Sequence, residues 1–345
     1  MWPPLSERTE HCGSRILCFE QGKTVTDRKK DLVDVHVHLL ALPAPGNGCR
    51  ISPRLKNGLL ARALARLRGW PLDDADRFNR MYLERLLRDL AESERVGRAV
   101  ILAMDGVYDD DGRLDEQKTD ILISNTHCLE ISHEHPCLLA GVSINPLRRD
   151  ALDELDRCVQ EGAALVKWLP NSQGFDPADP RCLPFYRALA ARGMPLLSHI
   201  GYEFSLIGKD QSAGDLQRIR CALDEGVTVI AAHAASFGLF FHEPFWRLFT
   251  HYMKTYPNFH ADVSALTLPN RAGMLWRLRS RPEFHGRLLF GTDYPLPVFS
   301  YPSLRTGSLR AWREAHACAN PFDRHAGVLE SVGIRADARV IRVSG

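Results

Sequence analysis

A chain of 345 residues, 45% hydrophobic and 25% charged, has enough apolar material for one large core or two of average size. Its 44 Lys and Arg against 42 Asp and Glu leave a formal charge of +2. The arginines are spread through helix-like stretches such as Arg62, Arg66, Arg68 and Arg77, Arg80, Arg85, Arg88, without aromatic interleaving, which argues against a nucleic-acid partner.

The first ~30 residues read as an N-terminal extension without the basic start and apolar run of a secretory signal. Nine cysteines, an odd number with no Cys-x-x-Cys pair, read as separate reduced thiols, so a cytoplasmic protein is expected. The longest apolar stretch, 227–241, is interrupted by His233, Ser236 and Gly238 and falls short of the ~20 residues of a spanning helix, so no membrane partner is expected.

The first strand-like run is 32–39. Within it, Asp34-Val35-His36-Val37-His38 puts two histidines on one face of a strand, with Val33, Val35 and Val37 on the other. Two buried imidazoles need a partner, and either a metal ion or hydrogen bonds would supply it. Residues 40–97 open with Pro43, Pro45, Gly46 and Gly48 and then read as two helices, 55–68 and 73–94, a helical insertion expected to act as a lid. Seven more runs follow, at 98–108, 138–146, 163–170, 194–201, 227–236, 259–265 and 287–295. Most are continuously apolar, as parallel strands covered on both sides are. Between them lie helical periods, two of which stop at Gly162 and Gly193. Strand alternating with helix eight times predicts a (β/α)8 TIM barrel over 31–330, with 331–345 as a C-terminal tail.

Ionisable residues sit at the ends of five of these runs: His36 and His38 on the first, Lys167 on the fourth, His199 on the fifth, His233 on the sixth and Asp293 on the eighth. Barrel active sites are built on that rim. Each residue alone has a structural reading, as a capping, ion-paired or hydrogen-bonded core group. Six together need a common solution, which a divalent ion supplies. Lys167 beside a dication must be carbamylated or turned toward Asn171, a backbone carbonyl or the substrate. Trp168 should face the other way and pack under a helix. Glu203 is a candidate to support the site or touch substrate, and Arg148 and Arg149 are candidates to meet a substrate carboxylate. The acidic run 109–111 lacks the downstream glutamate of a calcium loop and reads as a solvated turn.

The order His-x-His, Lys, His, His, Asp over about 32–330 resembles the amidohydrolase superfamily. Within it, the chain is similar to the amidohydrolase-related branch that holds metal-dependent hydrolases and aminocarboxymuconate-semialdehyde-type decarboxylases. The resemblance implies one metal at His36, His38 and Asp293. In binuclear members a second sits at His199 and His233, with a carbamylated Lys167 between. In mononuclear members His199 joins the first metal and His233 becomes an acid/base residue. One or two divalent ions, zinc first, are expected. The implied activity is hydrolysis of a carboxylic amide, cyclic amide or lactone by a metal-activated water, with Asp293 moving the proton. The alternative is non-oxidative decarboxylation of a small unsaturated or aromatic acid, and a non-catalytic binding barrel is the remaining class. The expected partners are a small-molecule substrate and, for assembly, further copies of the chain.

Overall fold

The computed structural model describes residues 30–341, apart from 205, 307 and 337. Eight strands, Leu32–His38, Val96–Leu102, Leu138–Val142, Leu165–Trp168, Leu196–Ser198, Val229–Ala231, Phe259–Asp262 and Leu288–Leu289, pair in parallel in sequence order. The sheet curls until its ends meet. Val35 N donates to Phe290 O (2.9 Å), Asp293 N to His36 O (2.9 Å) and His38 N to Tyr294 O (2.9 Å). These bonds bring the loop after the eighth strand against the first, and the result is the TIM barrel expected from the alternation of runs.

Two apolar layers follow from side chains alternating across each strand. Leu165, Leu197, Ile230 and Leu289 fill the barrel interior with Val35, Val100 and Leu102, while Val166, Leu196 and Val229 face the surrounding helices. Trp168 lies in that outer layer as expected. It is fully buried, with ring centroids 5.6 Å from both Phe185 and Tyr186 of the helix Leu183–Arg192, and its indole N–H donates to Ile144 O (2.6 Å).

The first strand departs from strict alternation. Its register against the second is irregular between Asp34 and Val37, so Val35 joins the interior cluster while Val37 joins the outer one. The valines therefore do not share a face as alternation predicts. The irregularity re-aims the strand before its histidines, a recognised use of such a feature beside functional sites.

The strand-like run 98–108 is strand only to Leu102, because Asp105 gathers the chain beyond it. Its carboxylate accepts from Gly106 N (2.8 Å), Asn145 N (2.7 Å) and Tyr108 Oη (2.9 Å). Residues 40–97 hold helices Pro53–Lys56, Leu59–Arg68 and Ala75–Glu92. Asn57 and Gly58 break the expected single helix 55–68 by capping one short helix and starting the next. The last helix buries Phe78, Tyr82, Leu86 and Leu90 and carries the chain back to the second strand. Its Tyr82 hydroxyl donates to the carbonyl of His38, tying this helix to the end of the first strand.

The C-terminal residues 338–341 lie across the N-terminal mouth of the barrel. Ala338 N donates to Leu288 O (3.0 Å), and Ala338, Val340 and Ile341 pack on the interior cluster. No described helix is long and apolar enough to cross a membrane. The seven described cysteines are all free thiols.

Candidate metal centre

The first strand delivers His36, completely buried, and His38, partly exposed, to the C-terminal rim. Asp34 braces the opposite wall. Its carboxylate accepts from His36 N (2.9 Å), Thr292 N (3.1 Å) and the Thr292 hydroxyl (2.5 Å), which holds the turn carrying Asp293 against the first strand. Burial pushes the Asp34 carboxyl up to about 7. Asp293 itself sits at φ 66° and His233 at φ 54°, in the left-handed region that costs non-glycine residues energy. Two of the site residues are thus held in strained backbone by the bonds around them.

Asp293 Oδ1 lies 3.1 Å from His38 Nε2 and 3.5 Å from His36 Nε2, and ligand atoms of the three lie within 4.8 Å of one another. Burial pushes the Asp293 carboxyl up, but His36, His233 and His38 outweigh it and hold the group well below the usual carboxylate range. Among the described residues, Asp293 Oδ1 and His199 Nε2 are buried without a hydrogen bond. Two buried acceptors left unsatisfied beside two further imidazole nitrogens are costly as they stand and chemically suited to a divalent cation. The residues present fit the metal that the sequence implies.

Behind the histidines lies a network that the sequence reading missed. Asp262, at the end of the seventh strand, accepts from His36 Nδ1 (2.8 Å), His233 N (2.8 Å), Ser264 N (3.0 Å) and the Ser264 hydroxyl (2.5 Å). Ser264 Oγ in turn lies 2.8 Å from His233 Nδ1. With Nδ1 of both rings donating into this network, Nε2 of each is the lone-pair nitrogen, the orienting arrangement that metal-binding histidines use. Burial raises the Asp262 carboxyl, yet His36 and Ser264 bring it below its ordinary value. His36, His233 and Asp262 also approach closely enough to suggest a second cation site. His36 Nδ1 is already bonded to Asp262 and His233 Nδ1 to Ser264, so this group supports the first site.

Burial lowers the basicity of His36, His199 and His233, keeping them neutral and free to coordinate. His233 stacks on His36 with centroids 5.0 Å apart and meets the edge of His199 at 5.3 Å. Lys167 points inward, its Nζ 3.3 Å from His36 Nε2, and burial lowers its ammonium to about 8. It does not turn to Asn171, whose amide instead bonds Gly201 O (3.1 Å) and Gln211. Glu203 Oε2 lies 3.6 Å from His199 Nε2.

Arg148 is engaged by other side chains. It pairs with Asp150 (2.7 Å) and Asp105 (3.4 Å) and lies over the Tyr108 ring. The residue in its expected place is Arg271, 6% exposed, between the seventh strand and the helix Ala272–Arg279. Its Nη1 donates to Ser236 O (3.0 Å), and no described carboxylate comes within ion-pair distance. Burial lowers its basicity, against the opposing influence of Glu203 and Asp293. A buried guanidinium with donors to spare beside the centre is a ready anion-binding group.

A family model described as Amidohydrolase matches residues 33–321. No curated protein sequence matches the chain. Among solved structures, an uncharacterised TIM-barrel protein from Bordetella bronchiseptica is similar at a TM-score of 0.56 and 18% identity, over 88% of this chain and 99% of that one. A probable 2-pyrone-4,6-dicarboxylic acid hydrolase from Acinetobacter baumannii aligns at 0.53 and 12% identity, over 88% and 92%. A putative enzyme of the same name from Pseudomonas putida aligns at 0.51 and 15%, over 90% and 96%. At these identities the likeness is one of fold.

Proposed function

The chain belongs to the amidohydrolase family, and from that premise we propose that it is a metal-dependent hydrolase of a small amide, cyclic amide or lactone that carries a carboxylate. The observation behind this reading is the meeting of His36, His38 and Asp293 beside the unsatisfied nitrogen of His199. These four would hold the ion. When bound, a divalent cation, zinc first, polarises the scissile carbonyl and acidifies the attacking water.

The chain's own residues supply the rest. Asp293, kept ionised by its imidazole neighbours, accepts the proton and delivers it to the leaving group. Asp262 keeps the His36 ring in one tautomer and orientation, and Ser264, whose hydroxyl donates to Asp262, does the same for His233. Arg271 grips the substrate carboxylate and sets its distance from the centre. Lys167 would either be carbamylated and help His199 and His233 to hold a second cation, or stay an ammonium and add a second positive charge for the substrate.

Decarboxylation is the second reading. Two buried cations, Lys167 and Arg271, near His233 suit an acid as substrate whichever bond breaks, and His233 would then take a proton from water at its free Nε2 and pass it to the carbon whose bond to CO2 breaks. The test is metal analysis alongside turnover of lactones, amides and aromatic or unsaturated acids. Ring opening or amide cleavage without CO2 supports the hydrolase, while CO2 release from an acid replaces it with the decarboxylase. Metal per chain in wild type and Lys167→Ala fixes the count: a fall from two to one means a carbamate bridge, and one in both removes the binuclear scheme.

A further inference from the structure

Among the described residues the guanidinium of Arg271, with its five N–H donors, makes one hydrogen bond, from Nη1 to Ser236 O. A long side chain tethered at one point keeps much of its rotamer freedom unless its neighbours remove it. Here the neighbour is the loop 236–243, which follows the sixth strand. Gly238 packs against the guanidinium, so that a Cβ there would stand 3.6 Å from Cζ. Asn270 Nδ2, one residue before Arg271, donates to Gly238 O (3.2 Å), and Gly273 N, two residues after it, donates to Phe240 O (3.3 Å). Gly201 leaves room for the Ser236 carbonyl, with which a Cβ at 201 would collide.

Glu243 holds the loop itself. Its buried carboxylate accepts from the Ser236 hydroxyl (2.7 Å) and from Phe237 N (2.8 Å), closing the loop on its own first residues. Hydrogen bonds to a carboxylate are of the strong kind. At the far end Phe240 sits at φ 54°, a conformation that a bulky residue keeps only where its surroundings over-determine it. Among the described residues Glu243 forms no ion pair. A buried carboxylate without a cation is a costly way to close a loop, and the cost is explained if the position of Ser236 matters to the site.

We infer that Glu243 is a positioning residue for substrate recognition. Through Ser236 it fixes the carbonyl that tethers Arg271, and so sets where the remaining N–H groups of the guanidinium meet the substrate carboxylate. The inference rests on the reading of Arg271 as the carboxylate-binding group. A guanidinium fixed in this way selects acids by the distance between their carboxylate and the reacting group.

A lactone or cyclic amide that carries a carboxylate opens to a dicarboxylate, so glutarate serves as a product-like probe. Butyrate is the same chain with one carboxylate replaced by hydrogen. Binding of each to the metal-loaded full chain is measured by titration calorimetry. Arg271→Met should weaken glutarate by at least about tenfold and butyrate by less than about twofold, because the centre alone can hold one carboxylate. Glu243→Ala should reproduce that selective loss, by about tenfold, and add nothing to Arg271→Met in the double variant. Glu243→Gln should stay within about threefold of wild type, since its amide can accept from Phe237 N and donate to Ser236 Oγ. Ser236→Ala cuts the same relay by a smaller change and should give an intermediate loss, which keeps the test decisive if Glu243→Ala does not fold.

Selective loss in Arg271→Met with glutarate binding intact in Glu243→Ala or Ser236→Ala overturns the inference alone. Equal weakening of both acids by Glu243→Ala, or a double variant weaker than Arg271→Met, overturns it too, as a general loosening of the site. Wild type that binds glutarate no better than butyrate, or Arg271→Met that binds it as wild type does, overturns the reading of Arg271 on which the inference rests.

Discussion

The two mouths of the barrel are built from the same eight strands and are opposite in kind. At the N-terminal mouth, Val35, Leu165, Leu197, Ile230 and Leu289 make an apolar plug with the tail 338–341 laid over it. At the C-terminal mouth, one to four residues further along, the same strands or the turns after them present His36, Lys167, His199, His233 and Asp293, all buried. Leu165 and Lys167, or Leu197 and His199, are two positions apart on one face of one strand. Stability and chemistry are thereby separated along the barrel axis by a few ångströms, and each mouth should respond to mutation on its own.

The sharpest way to break that separation is His38→Ala. Turnover should fall to background and bound metal to roughly a tenth of wild type or less, with the melting temperature of the metal-free protein unchanged. Unfolding of the metal-free variant alongside its loss of metal would mean that the two mouths are one cooperative unit. The complementary substitution is Leu165→Ala, which should destabilise the protein by about 2–5 kcal/mol in denaturant titration while leaving metal stoichiometry intact. A drop in metal content would show that the plug positions the centre.

A third prediction uses acid. His325 is buried against Phe290, with its basicity lowered to about 4 by burial. The unfolded chain takes up this proton near pH 6.5 and the folded one only near 4, so the stability it contributes is complete above pH 6.5 and is lost as pH falls through that window. The loss should reach roughly 3 kcal/mol, and His325→Leu should flatten the slope measured between pH 6.5 and 4. An unaltered slope would assign acid sensitivity to the ionisable groups of the C-terminal mouth. The smallest effect is expected for Asp262→Asn. It should weaken metal affinity by about 10–100-fold, read by competition with a chelator, without removing the site; unchanged affinity would make the Asp262 network purely structural.

The candidate site at the rim was legible because an ionisable residue that ends a near-continuous apolar run is buried by the strand that carries it and needs a partner there. Lys167 after Leu165-Val166 and His199 after Leu197-Ser198 show the pattern. Asp262, which ends Phe259-His260-Ala261, carries the same signal and was open to the same argument. Arg271 was not legible, since it lies in a connection without period and only the fold brings it to the centre. Nor could sequence reveal left-handed backbone at His233 and Asp293, where no glycine marks the position, or the irregular register that parts Val35 from Val37. The tail was hidden for another reason: Ala338-Arg339-Val340-Ile341 is too short to show a pattern, and its burial depends on a mouth that exists only once the barrel has closed.

The bond from Val35 N to Phe290 O joins residues about 255 positions apart. A ribosome adding ~5–20 residues per second needs on the order of 13–50 seconds to make the intervening chain. Until then the first strand has at most the second as a neighbour on one edge, while the backbone groups of its other edge, among them the N–H groups of Val35 and His38, have no final partner. The nascent barrel is therefore an open sheet with an adhesive seam, and chaperones that cover strand edges during translation would be expected to govern its yield more than any property of the finished enzyme.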